Sequence, residues 1–336
     1  MSNMMFDWDK IKQEDLIALI RNTANKMKIQ ETVVEKDYWV CFVLDYLFHQ
    51  SQWRKSFTFK GGTSLSKCYS LIDRFSEDID LILDWRLLGY EKNEPWQIRS
   101  NTKQDLFNKE SNKKTEVFLA EVFIVQMEKD LEDMLTEPFQ LTIYEKDPQT
   151  LLFYYPKVFS SSYLTEAIRI EIGPLSAWTP SEPAWIEPYI AIEYPQIAGG
   201  KKISLKAVSV ERTFWEKATI LHHEAHRPQE LKMPARYARH YYDLYCIANS
   251  AYKDRAFAQL ELLEKVAIFK SKFYPRKWAK YEEATKTHIK LVPENYRLEE
   301  LRKDYEQMKE MFIGESPKFE DIMETIRSLE SEIHRI

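Results

Sequence analysis

The spacing of apolar residues changes character several times along the chain. Residues 9–29 and 31–50 carry them at helical intervals; in the second segment Val33, Tyr38, Cys41, Val43, Leu44 and Leu47 form a broad stripe. Residues 57–60 read as a strand, Ser64–Ile72 as a helix, and the segment through residue 84 as a second strand. There Ile79, Leu81 and Leu83 alternate with Asp78, Asp80 and Ile82. Residues 85–110 are polar with few periodic apolar positions, which predicts an irregular insertion or lid. A helix follows over 113–135, with Phe118, Val122, Val125, Met127 and Leu131 on its apolar side. Strands are predicted over 139–145, 150–158, 166–173 and 189–194, with a proline-rich break at 173–188. After the turn at Ala198–Gly199–Gly200 the pattern is almost wholly helical to the end.

One segment, KGGTSLSKCYSLIDRFSEDIDLIL at residues 60–83, carries most of the chemical information. In a strand, positions i and i+2 share a face, so Asp78 and Asp80 project together while Ile79 and Leu81 enter a core. Two carboxylates on one face repel unless a cation lies between them. Hard oxygen ligands favour Mg²⁺ (or Mn²⁺), which is commonly held by one or two carboxylates together with substrate phosphates. Gly61 and Gly62 let backbone N–H groups approach a phosphate, and Thr63 or Ser64 can cap the helix that follows. Lys60, Lys67 and Arg74 flank the glycines and are candidate triphosphate contacts, while Ser76 can cap toward the second strand.

Length and composition fit an enzyme of two domains, or of one large domain with a helical extension. The chain has 336 residues, 44% of them hydrophobic and 14% aromatic, enough to bury a sizeable core. No apolar run reaches the length of about 18 residues a membrane span needs. The N-terminus lacks the basic and apolar regions of a signal peptide, and Cys41, Cys68 and Cys246 are odd in number and far apart. Reduced thiols and a cytoplasmic location are therefore expected, with no membrane partner. A net charge of −5 argues against undirected attraction to nucleic acid. The charge is uneven, however: residues 264–280 hold six Lys/Arg and one Asp/Glu, whereas 299–332 hold eleven acids and five bases. The basic zone suits either an RNA track or a solvated helix face.

A glycine pair, a helix and then D-x-D is the signature of the nucleotidyltransferase fold, and the resemblance is closer than that superfamily. VEKDYWVCFVLDYLF (34–48), the glycine and D-x-D block, VERTFWEKATILHHEAHRP (210–228) and RYARHYYDLYCIA (236–248) together resemble the AbiEii/AbiGii family of bacterial nucleotidyltransferase toxins. The second block is highly specific; the third and fourth add weight only in combination with it. The resemblance implies an α+β fold: a mixed β-sheet flanked by helices over residues 1–200, and a mostly helical C-terminal domain over 201–336 that contributes to the active site.

It also implies roles for particular residues. Glu171, on EAIRIEIG, would be a third carboxylate that binds metal or takes a proton; its plain alternative is an exposed strand residue paired with an Arg. Lys217 would belong to the active site, although its place at the margin of an apolar helix stripe also suits a lysine reaching solvent. Arg236, Arg239, His240 and Asp243 are expected on one helix face. Asp243 keeps the second acid of the family's R-D-x-x-D, His240 replaces the first, and Arg239 is either a nucleotide contact or an ion-pair partner of Asp243. Lys36 and Asp37 are expected in a structural ion pair. His222 and His226 have chelating spacing, but H-E-x-x-H would need histidine where Arg227 stands, which disfavours zinc.

The activity so implied is Mg-dependent transfer of NMP from an NTP to an acceptor hydroxyl, plausibly the 3′ end of tRNA, by a toxin with a cognate antitoxin. Alternatives from other classes are a nucleotide- or RNA-binding module without transfer, a kinase-like use of the same site, and nucleotidylation of a small molecule.

Overall fold

A computed structural model describes residues 4–6, 8, 11–160, 165–174 and 180–336. The start of the helix expected from residue 9 and the middle of the proline-rich break lie outside these residues. The chain divides into two compact units, one of residues 1–68 and 75–207, the other of residues 69–74 and 208–336. The domain boundary expected from the sequence is 200/201. Residues Ile203–Val208 form a strand that the first unit's sheet claims, and the short segment 69–74 groups with the second unit.

In the first unit, helices α1 (Gln13–Met27) and α2 (Glu31–Asp45) precede strand β1 (Phe57–Lys60), helix α3 (Gly61–Lys67) and strand β2 (Ile79–Leu83). Helices α4 (Asn101–Phe118) and α5 (Ile124–Glu132) follow, then β3 (Gln140–Ile143), β4 (Thr150–Tyr154), β5 (Ile168–Gly173) and β6 (Ser181–Ile186). Two short helices, α6 (Tyr189–Glu193) and α7 (Pro195–Ala198), lead into β7 (Ile203–Val208). The sheet runs β3-β4-β5-β2-β1-β7-β6. It is mixed: β2 is antiparallel to β1 but parallel to β5, and β1 is parallel to β7. Central position explains the composition of β2, whose Ile79, Leu81, Ile82 and Leu83 are all buried.

From Val34 to Asp45 helix α2 is buried on every side, its charged residues Glu35, Lys36, Asp37 and Asp45 included. Glu35 accepts the Val158 and Phe159 N–H groups. Lys36 Nζ lies 2.5 Å from Glu77 Oε2 and also donates to the Thr165 hydroxyl and carbonyl. Asp37 takes Lys67 and the Tyr189 N–H. The expected structural role of Lys36 and Asp37 is thus divided between two separate ion pairs.

Several elements differ from expectation for local reasons. Within the strand expected over 189–194, Tyr189–Glu193 form helix α6, because the Asp37 carboxylate accepts the Tyr189 N–H at 2.7 Å and anchors its first turn. Part of the polar 85–110 stretch belongs to α4, which Ser100 caps and which the exposed pairs Asp105–Lys109 and Glu110–Lys114 line. Helix α3 begins at Gly61 and ends at Lys67, earlier at both ends than the predicted Ser64–Ile72.

The second unit holds α8 (Val210–Ala225), α9 (Ala238–Ala248), α10 (Tyr252–Phe257), α11 (Glu261–Phe273), α12 (Asn295–Met308) and α13 (Phe319–Ile333). Helix α8 is its core: Phe214, Trp215, Ala218 and Leu221 are fully buried. Ser209 caps it, and Glu211 in its first turn is buried against Arg255 at 2.5 Å. Among the described residues no helix is long and apolar enough to cross a membrane.

Candidate active site

The acidic face of the first unit is set by strand register. Lys60 on β1 lies opposite Asp80 on β2, and Asp80 lies opposite Glu171 on β5. Opposed residues on adjacent strands share a face, so one row across three strands presents a cation and two carboxylates. Asp78, one residue before β2, joins them. Asp78, Asp80 and Glu171 are each only partly covered, whereas Ile79, Ile170 and Ile172 between them are buried. Burial, and then Asp80 and Asp78, push the Glu171 carboxyl above its ordinary range.

Arg169 partly answers this repulsion. Its guanidinium lies 3.3 Å from Glu171 Oε1 and 3.9 Å from Asp78 Oδ1, and packs over the Tyr144 ring at 4.8 Å. Burial opposes its charge, but Glu171 and Asp78 outweigh that and raise its affinity for the proton. The pairing with an arginine, the plain alternative for Glu171, is present, and the same guanidinium also lies near Asp78.

The glycine turn abuts the same face. Gly61 has φ +85°, and a Cβ there would stand 1.9 Å from Asp80 Oδ2. Backbone therefore approaches the Asp80 carboxylate as closely as the chain permits. No side chain caps α3 at its N-terminus. The expected capping hydroxyls are used elsewhere: Thr63 donates to the Asp78 carbonyl at 2.5 Å and accepts from the Ser76 hydroxyl at 3.0 Å, and Ser64 donates to the Gly61 carbonyl. Both are buried and shape the turn, and Ser76 bonds to α3 instead of capping.

The second unit contains a buried charge cluster. Arg74 makes a two-pronged contact with Asp243, Nε to Oδ1 at 2.7 Å and Nη2 to Oδ2 at 2.8 Å. Lys217 Nζ reaches Asp243 Oδ2 at 2.6 Å and His240 Nδ1 at 3.2 Å. Although burial opposes the charge of Asp243, Arg74 and Lys217 hold its carboxyl well below the usual range. Burial lowers the Lys217 pKa; Asp243 pulls it up, and Arg74 and Arg239 push it down again.

A family model described as "Nucleotidyl transferase AbiEii toxin, Type IV TA system" matches residues 44–325. The chain belongs to that family. It is a nucleotidyltransferase toxin of a type IV toxin–antitoxin system. Its AbiEii match spans both the acidic face and the buried cluster. Two solved structures are similar. MenT4, the nucleotidyltransferase toxin Rv2826c from Mycobacterium tuberculosis H37Rv, is 15% identical with a TM-score of 0.46, covering 92% of this chain and 98% of that one. JHP933 from Helicobacter pylori is 14% identical with a TM-score of 0.41, covering 89% and 92%. No protein with a curated description matches.

Within this AbiEii chain the structure sorts the candidates. Asp78, Asp80, Glu171, Lys60, Gly61 and Gly62 gather on the first unit's acidic face. Lys67 is withdrawn from the triphosphate contacts, because it is buried against Asp37 at 2.6 Å and over the Tyr189 ring. Arg74 is withdrawn too, since both prongs of its guanidinium are taken by Asp243. Lys217, His240 and Asp243 come together as neighbours on α8 and α9. Arg239 is half-buried, and Asp243 is paired with Arg74 and Lys217 in place of the expected Arg239 partnership. Arg236 lies outside α9, at φ +61°, with its N–H on Asp304.

The histidine pair is structural. His222 Nε2 meets the Lys280 carbonyl and its Nδ1 accepts the Lys290 N–H, while His226 Nδ1 meets the His222 carbonyl. All three cysteines are free thiols, and burial pushes Cys68 up to about 12.

Among the described residues no three His, Cys, Asp or Glu side chains are drawn together tightly enough to hold an ion as they stand. The donor set nevertheless suits a hard divalent cation. Three carboxylates repel one another on one face, and the Glu171 carboxyl is raised by that repulsion as well as by burial.

Proposed function

We propose that this toxin transfers a nucleoside monophosphate from an NTP to an acceptor hydroxyl on RNA, at the 3′ end of tRNA, with Mg²⁺ or Mn²⁺ as the metal. The observation that carries the reading is the row Lys60–Asp80–Glu171, with Asp78 beside it and the Gly61 backbone against Asp80.

Asp78 and Asp80 would hold the ion, with Glu171 beside them. When bound, a divalent ion neutralises the charge of a triphosphate and stabilises the attacking and leaving oxygens. The chain's own groups do the rest. Backbone N–H groups at Gly61 and Gly62 reach phosphate oxygens because neither residue has a side chain in the way, and Lys60 supplies positive charge in the same row. The acceptor oxygen forms a bond to the α-phosphorus, and the bond from that phosphorus to the bridging oxygen breaks. Pyrophosphate leaves with the electron pair. Glu171, whose carboxyl is raised, receives the acceptor's proton. Residues Lys217 and Asp243 of the second unit are also required for transfer in this reading, and a cognate antitoxin is the partner expected in the cell.

Purified protein incubated with total tRNA, Mg²⁺ and each α-labelled NTP in turn tests this. Label on RNA supports it. Label on protein from γ-labelled NTP would instead indicate a kinase-like reaction, and RNA binding with no label from either donor would indicate a binding module.

A further inference from the structure

Lys217 is held by two acceptors of different kinds. Asp243 Oδ2 takes one of its N–H groups at 2.6 Å, and His240 Nδ1 lies 3.2 Å from the same nitrogen. An ammonium can only donate, so its contact with Nδ1 requires a lone pair there, and the imidazole proton must then sit on Nε2. The reverse arrangement, a neutral amine accepting from Nδ1–H, would leave Lys217 without charge. The two differ in which ring nitrogen carries hydrogen, which is measurable.

Charge decides between them. The groups facing Lys217 are Asp243, His240 and Arg239 on or beside its contacts from α9, and Arg74 from segment 69–74. Arg74 shares Asp243 with it, so this one carboxylate serves two cations. A protonated His240 would add a third cation at hydrogen-bond distance. Burial, followed by Lys217 and Arg239, holds the imidazole well below its ordinary pKa, in its neutral form. The Tyr237 ring packs edge-on at 4.9 Å and limits its rotation.

We infer that His240 is a positioning residue for Lys217: its Nδ1 lone pair takes one N–H of the ammonium while Asp243 takes another, which fixes the direction of the third. The inference rests on the reading that Lys217 acts in transfer. Asp243 alone could hold the charge but not the orientation, because one carboxylate oxygen allows the ammonium to turn about a single contact. A neutral acceptor also differs from an acidic one. A carboxylate at 240 would work against the lowering of the Lys217 pKa, whereas the imidazole orients the ammonium without adding charge.

The test combines a spectrum with a pH profile. In ¹⁵N-histidine-labelled full-length protein, assigned with His240→Asn, His240 should show an unprotonated Nδ1 and a protonated Nε2 at pH 7, and Lys217→Met should shift the Nδ1 resonance. The alkaline limb of transfer activity reports loss of the Lys217 proton. His240→Phe should move that limb about one pH unit lower, and His240→Asp should move it higher, each checked for an unchanged melting transition. His240→Asn, whose side-chain oxygen can stand where Nδ1 stands, should restore most of the wild-type profile. A proton on Nδ1 would overturn the inference whatever the activity does. So would identical pH profiles for His240→Phe and His240→Asn. Full activity of Lys217→Met with the expected tautomer would overturn instead the reading that Lys217 acts in transfer, and leave its orientation by His240 intact.

Discussion

Gly61 and Asp80 compete for one volume: a Cβ on residue 61 would stand 1.9 Å from Asp80 Oδ2. The backbone at 61 is also in the left-handed region, at φ +85°. Gly61→Ala therefore meets strain and collision together and must displace the Asp80 carboxylate. It should cost about 1–3 kcal/mol of stability and lower transfer activity by far more than that stability loss explains. Urea unfolding and single-turnover kinetics on the same preparation check both parts.

The acidic face is a place where function opposes stability. Glu171 sits among two other carboxylates, and its raised pKa means that ionising it costs more in the folded chain than in the unfolded one. Stability should therefore rise as pH falls toward the Glu171 pKa. Without divalent cation, Glu171→Gln and Asp80→Asn should each melt at or above the wild-type temperature while transfer is lost. Added Mg²⁺ should raise the wild-type melting temperature and leave Asp80→Asn nearly unchanged, as differential scanning fluorimetry would register.

The Lys36–Glu77 pair is buried on both sides, with side-chain exposures of 0% and 4%. Removing one partner takes this counter-ion from the other in the interior. Lys36→Met should cost about 3–5 kcal/mol, and the double variant Lys36→Met, Glu77→Met markedly less than the sum of the singles. Denaturant unfolding of the four proteins closes the cycle.

Burial holds His222 down to about 4, and both ring nitrogens are engaged by the backbone at Lys280 and Lys290. Its folded-state pKa is below the unfolded value, so its contribution to stability is complete above pH 6.5 and is lost as pH falls toward 4. An NMR titration should show no protonation of His222 above about pH 5. The melting temperature should fall across that acidic window.

The glycine pair, the helix and the D-x-D were legible in the sequence because each rests on short-range rules: backbone freedom at glycine and period-2 alternation around Asp78 and Asp80. Long-range pairings were not. Lys67 and Arg74 read as triphosphate contacts, and what takes them away are Asp37, 30 positions distant, and Asp243, 169 positions distant. The first part of helix α4, before residue 113, was not legible because ion pairs and a serine cap define it better than an apolar stripe does. Strand β7 carried a signal that was available: Ile203, Leu205 and Ala207 alternate with Ser204 and Lys206, and the first three are buried. The helical character of residues 189–193 was hidden, since it depends on a carboxylate supplied by α2.

The central claim is that Asp78 and Asp80 support nucleotidyl transfer to RNA. Wild-type protein and an Asp78→Ala, Asp80→Ala variant, shown by circular dichroism to be equally folded, are incubated with total tRNA, Mg²⁺ and each α-labelled NTP. Label should enter RNA with at least one NTP in the wild type and fall to background in the variant. Equal labelling by both proteins, or label on RNA from neither, would contradict the account.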